Sequence, residues 1–148
     1  MRQAPARVLC LPPLGVTVGQ ILALLDRDDR WHERCRTAFA SLRFPLATSA
    51  AVLAEVFHLV GDQPREVDAA WGFLRSGAVS VLPIDDSDLP ALENLMRRYA
   101  DHPMDFADAT LVHLAHRESL TTVFTIDHAD FETYRIVGRR RFRVVPGR

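Results

Sequence analysis

Lysine is absent from this 148-residue chain, and all 18 of its basic residues are arginine. They are balanced by 19 acids, for a formal net charge of −1. No global cationic field is therefore available, and any nucleic acid would have to be held by a local patch. Arginine suits bidentate phosphate contacts, although a GC-rich coding sequence accounts for the bias equally well. Cysteine is scarce too. Cys10 and Cys35 form no paired motif, which excludes a disulfide framework and fits a reducing compartment. Cys10, inside the apolar run "VLCL", reads as a small buried hydrophobe. No apolar stretch approaches membrane-spanning length. The opening "MRQAPARVLCLPPLG" mimics a signal peptide only until Pro12 and Pro13 break its run. A cytoplasmic protein without membrane attachment is expected. A P-loop, a GxGxxG turn and a Ser-His-Asp pattern are all missing, so the chemistry must rest on other groups.

What remains is 48% hydrophobic and 25% charged, which suits one domain built on one core over residues 1–148. Strand-like and helix-like segments alternate along it. "ARVLCL" and "GVTV" read as short strands. "GQILALLDR" reads as a short helix, and "DRWHERCRTAFASL" as an amphipathic one capped by Asp29. "FPLATS" is a brief strand before the helix "SAAVLAEVFHLVG", which stops at Gly61. Pro64 opens a helix that runs through Arg75 and ends at Gly77, and "AVSVLPI" is a strand. Ser87 is placed to cap "DLPALENLMRRYAD", and Pro103 to begin a helix through "MDFADATLVHLAH". "LTTVFTID" and "FRVVP" close the series as strands. Interleaved strands and helices imply an α/β fold with a mainly parallel sheet covered on both faces. Ligands of such sheets bind beyond the carboxyl ends of the strands.

Three acids interrupt elements that are otherwise apolar. Glu55 is the one charged residue of "AAVLAEVFHLV", Asp108 heads the stripe Leu111, Val112 and Ala115, and Asp127 ends "TVFTI". A carboxylate withdrawn from water without a partner costs several kcal/mol as an order of magnitude. A shared hard cation, Mg²⁺ or Mn²⁺, would offset that cost. Each acid also has a plainer reading. Asp105, one turn before Asp108, suits the amino end of its helix; Glu55 suits a partly solvated edge; Asp127 suits a turn after a strand. His113 and His116 stand three apart, a spacing zinc sites use, but the sequence offers them no third ligand.

"ILALLDRDDRWHERC", "TSAAVLAEVFHLVG", "PMDFADATLVHLA" and "VFTIDHADFETYR", in this order and spacing, resemble a PIN-domain protein of the VapC toxin kind. The resemblance covers about Val16 to Val145 and implies an α/β/α sandwich around a parallel sheet. It further implies a Mg²⁺- or Mn²⁺-dependent endoribonuclease acting on RNA, a homodimer, and a cognate VapB-like antitoxin. Carried over by position, Glu55, Asp108 and Asp127 take the catalytic, metal-binding acid places. Thr48 takes a hydroxyl position near the site, and Asp105 and Asp130 are auxiliary acids. The first acid place departs from the pattern. Where the family writes an aspartate, in a motif such as "VDTGPLLALLDRDD", this chain has "VTVGQILALLDRDD" and puts Thr17 there. Asp26 cannot substitute, since nine residues of helix span ~14 Å. A threonine offers a hydroxyl in place of a charged ligand, which implies an attenuated nuclease or, alternatively, an inactive domain that binds RNA or antitoxin. The arginines of "GRRRFRVV" suit either phosphate contacts or a solvated strand rim.

Overall fold

The apolar runs converge on a five-stranded, wholly parallel sheet in the computed structural model, which describes residues 14–42, 44–102, 104–136 and 140–147. In chain order the elements are β1 (Leu14–Val16), α1 (Val18–Leu25), α2 (His32–Ala40), β2 (Leu46–Thr48), α3 (Ala50–Val60) and α4 (Pro64–Arg75). Then follow β3 (Val79–Val81), a 3₁₀ turn (Asp86–Asp88), α5 (Leu89–Arg98), α6 (Phe106–Arg117) and β4 (Thr122–Phe124). The chain closes with α7 (His128–Thr133), β5 (Arg135–Ile136), β6 (Arg140–Arg141) and β7 (Arg143–Val145). The sheet order is β3-β2-β1-β4-β7, and β5 and β6 form a separate antiparallel pair.

This order carries the functional geometry. From β1 the chain steps outward to β2 and β3, and then crosses back over both to place β4 on the other flank of β1. Right-handed crossovers in opposite directions lay helices on opposite faces. They also leave a switch point, open for a ligand, beyond the ends of β1 and β4. The return helix α6 is buried along most of its length, through Ala107, Leu111, Val112, Leu114 and Ala115 among others. Gly15 of β1 faces it: a Cβ there would lie in ordinary contact, 3.8 Å from Leu111 Cδ2. Burying a side chain the size of Leu111 contributes about 1.5–3 kcal/mol, so the central stripe of α6 anchors it to the sheet.

Local chemistry sets the element ends, with two corrections. Ser49 Oγ accepts the Val52 N–H and starts α3, and Gly61, at φ +60°, ends it as expected. The turn before α5 is capped by Asp85, not Ser87; Asp85 and Asp88 exchange side-chain and backbone bonds in a capping box, and Ser87 lies inside the turn. Asp29 lies upstream of the helix it was expected to cap. It accepts the Trp31 N–H at 2.7 Å, and α2 begins only at His32. The strand read in "ARVLCL", Cys10 and the helix start at Pro103 lie outside the described residues. Cys35 is a buried free thiol. No helix among the described residues is long and apolar enough to cross a membrane.

Candidate active site

Thr17 stands one residue beyond β1 and is fully enclosed, at 2% exposure. Its hydroxyl donates to Thr125 Oγ1 at 2.9 Å, and the same oxygen accepts the Asp127 N–H at 2.9 Å. The ends of β1 and β4 are thus tied by a hydroxyl pair at the switch point. The Asp127 carboxylate lies against the first turn of α1, with Oδ2 3.5 Å from the point a Gly19 Cβ would occupy. Free N–H groups at a helix start favour an anion in that place.

Asp108 enters from the first turn of α6. Its N–H is accepted by Asp105 Oδ1 at 2.7 Å, so Asp105 is the helix cap, as its plainer reading had it. Asp108 Oδ2 accepts the Tyr134 hydroxyl at 3.2 Å. Tyr134 is wholly buried, and its ring is held edge-on by Tyr99, His102 and Phe131. Withdrawal from water, then the Asp105 charge, push the Asp108 carboxyl up to about 7. The Tyr134 bond opposes that rise, and Asp130 and Asp127 add to it. Asp127 keeps more contact with solvent but is raised as well, first by desolvation and then by Asp130 and Asp105. Asp130 bonds His102 Nε2 at 2.7 Å. Burial and the neighbouring carboxylates also raise the Tyr134 hydroxyl, which stays a donor.

The fold therefore brings Asp105, Asp108, Asp127 and Asp130 into one electrostatic neighbourhood at the switch point. Glu55 is half-buried on α3, has no hydrogen bond or ion pair among the described residues, and is not among the charges that move Asp108 or Asp127. Its helix is nonetheless tied to α6 where both begin, by Ser49 Oγ and Thr110 Oγ1 at 2.7 Å. Thr48, at the end of β2, is fully buried, and its hydroxyl has no partner among the described residues. Thr125, Tyr134 and His102 escaped the sequence reading. Tyr134 follows Asp130 by one helical turn in "DFETY", the one signal that could have pointed to it.

Whether these donors suit a divalent cation is decided by charge and number. Among the described residues no three His, Cys, Asp or Glu side chains gather closely enough to enclose an ion. Mg²⁺, however, is commonly held by one or two carboxylates and keeps several waters. Asp108, withdrawn from water, and Asp127, raised by its acidic neighbours, fit that mode; a closed cage of protein ligands does not describe them. The zinc spacing of His113 and His116 leads elsewhere, since His113 Nε2 is bonded to Asp88 Oδ1 at 2.7 Å. Arg140, Arg141 and Arg143 are exposed on the terminal strands, while Gly138 and Arg139 lie outside the described residues.

Parallel strands, a return crossover and a cluster of acids beyond β1 and β4 define an α/β protein whose carboxylates gather at the switch point. The PIN domain family model matches residues 20–136, and the chain belongs to that family. It is similar to Ribonuclease VapC26 of Mycobacterium tuberculosis, at 28% identity over 134 residues, 88% of this chain and 98% of that protein. Its fold matches the crystal structure of Mycobacterium tuberculosis VapC20, described as a sarcin-ricin loop cleaving toxin. The TM-score is 0.70 at 21% identity, over 78% of this chain and 90% of that one.

Proposed function

We propose that this chain is a divalent-metal-dependent endoribonuclease of the VapC toxin type, attenuated by Thr17, with a VapB-like antitoxin and a second copy of itself as partners. The observation that carries the reading is Asp108, a carboxylate at the switch point pushed up to about 7 first by withdrawal from water and then by Asp105, with Asp130 and Asp127 adding to it. A fold that gathers like charges at its binding end incurs repulsion that a cation relieves. The similarity to a protein named a ribonuclease supplies the reaction class.

Asp108 and Asp127 would hold Mg²⁺ or Mn²⁺, with Glu55 as the third carboxylate by family correspondence. A bound divalent cation supplies Lewis acidity for water activation and charge neutralisation at a phosphodiester. The chain's own groups prepare for it. Tyr134 fixes one oxygen of Asp108 and leaves the other available. Asp105 locks the backbone beneath it. Asp130 adds negative potential while its own charge is shared with His102. Near neutral pH the free Asp108 carboxyl is part-protonated, and ion binding would displace that proton.

Incubating an unstructured RNA with the protein and Mg²⁺ or Mn²⁺ tests the reading, with Asp108→Asn as the control. Cleavage by the parent and none by the variant is the expected result, and equal cleavage by both would sink it. A second reading is favoured by one observation. Thr17 spends its hydroxyl proton on Thr125 and contributes no charge, which suits a domain that binds RNA or antitoxin without cutting. RNA binding without cleavage at any metal concentration would decide for that reading.

A further inference from the structure

A cleft of about 520 Å³ adjoins the acidic cluster and shares Asp127 and Asp130 with it. The rest of its lining is of different chemistry: Trp31 and Arg34 from the start of α2, and Ile126, His128 and Ala129 beside the two aspartates. Trp31 is half-buried and carries two guanidiniums near its ring, Arg30 at 5.3 Å and Arg34 at 5.5 Å from the centroid. Neither arginine has a carboxylate within ion-pair range among the described residues. Arg34 is steadied by a bond to the Gly147 carbonyl, and His128 Nε2 donates to the Pro146 carbonyl at 2.7 Å, so the chain's end braces this wall. A guanidinium has five N–H donors, and most of Arg34's stay free.

We infer that Trp31, with Arg30 and Arg34, is a nucleotide subsite that takes the base and phosphate of an RNA strand beside the scissile phosphodiester. The identity of the ligand rests on the ribonuclease reading; the geometry does not. An indole and guanidinium planes stack any base, because every base has a π-face. Two cations without anionic partners suit the flanking phosphate. The cleft thus holds both signs of charge, the Asp127 and Asp130 carboxylates and the Arg34 guanidinium, with Trp31 among them. No global positive charge is required, in keeping with a net charge of −1.

The test uses the full chain carrying Trp71→Phe. Trp71 lies on α4 against Phe57, apart from this cleft, and its removal leaves Trp31 as the sole tryptophan. An unstructured oligoribonucleotide of about eight nucleotides is titrated in EDTA, so that binding is read without cleavage. Quenching of Trp31 emission is expected. Trp31→Ala should weaken binding of the labelled oligonucleotide by roughly ten-fold or more, and Trp31→Phe should retain most of the affinity. Arg34→Ala should lower the salt dependence of binding by about one counterion. Absence of binding or quenching, or unchanged affinity in both Trp31→Ala and Arg34→Ala, would overturn the subsite. Full cleavage with metal but unchanged binding in these variants defeats the subsite alone. Trp31-dependent binding with no cleavage defeats the nuclease reading and leaves the subsite standing.

Discussion

The two ends of α6 hold an aspartate each in its vicinity, and they sit at opposite extremes. Near its last turns, Asp88 receives His113 at 2.7 Å and Arg117 at 3.1 Å, and it also accepts the Asp85 N–H. The Asp85 backbone bond, then His113, hold the Asp88 carboxyl down to about 2. In the first turn, Asp108 has one neutral phenol and three acids for company and is pushed up to about 7. Desolvation leads at Asp108, whereas at Asp88, also enclosed, the Asp85 and His113 bonds outweigh it. Partners decide whether burial is offset. An acid that folding satisfies serves the scaffold, and one that folding leaves in a crowd of like charge is a candidate for a site.

Asp108→Asn should separate the two ends most sharply. Cleavage of RNA should fall by ~100-fold or more, because a ligand of the ion and its charge are lost together. Thermal stability without metal should hold or rise at pH 8, since the amide is not repelled by its neighbours. A fall in metal-free melting temperature at that pH would mean Asp108 is as satisfied as Asp88.

The pH dependence of stability sharpens the same contrast. Asp108 has a folded value of about 7 against an unfolded value of 3.8, so the native state holds the extra proton between those values. Stability must then decline as pH rises from about 4 through 7, by roughly 4 kcal/mol from this group. Saturating Mg²⁺ should flatten the decline, because the ion replaces the proton. Asp88 acts with the opposite sign. Its depressed value stabilises the fold above pH 3.8, and that contribution disappears as pH falls through about 2. Denaturation curves across pH 2–8, with and without Mg²⁺, read both groups in one experiment. Asp88→Asn, for its part, should lower the melting temperature at pH 7, through the loss of two charge partners and a turn cap, and leave Mn²⁺ affinity unchanged.

Alternation of strands and helices made the fold legible in the sequence, and apolar runs such as "TVFTI" located the central strands. The same alternation could not reveal α7 or the β5–β6 pair. "HADFET" is six residues with one buried anchor, Phe131, too short for a periodic signal. Asp108 and Asp127 were legible because each sits where an apolar pattern stops. Their difference from Asp88 was not, since "DDSD" looks like any turn until α6 folds back and His113 and Arg117 meet it across 25 and 29 residues. The Tyr134 bond to Asp108 spans 26 residues and was invisible for the same reason. Glu55 shows the reverse limit, because the family pattern names it as a ligand while no hydrogen bond or ion pair among the described residues marks it.

Thr17 tests the comparison at its smallest scale. Thr17→Val keeps the shape of the side chain and removes the donor to Thr125, whose oxygen still receives the Asp127 N–H. The loss should be about 1 kcal/mol of stability, with little change in Mn²⁺ affinity, because the deleted group carries no charge. Thr17→Asp adds a fifth carboxylate to the acids at the switch point, in a place enclosed from water. Without metal it should destabilise the protein more than Thr17→Val does, and with Mn²⁺ it should bind the ion more tightly than the parent chain. Calorimetric titration of Mn²⁺ into all three proteins gives the answer. If the aspartate variant gains no affinity, position 17 does not face the ion, and the attenuation ascribed to it has another cause.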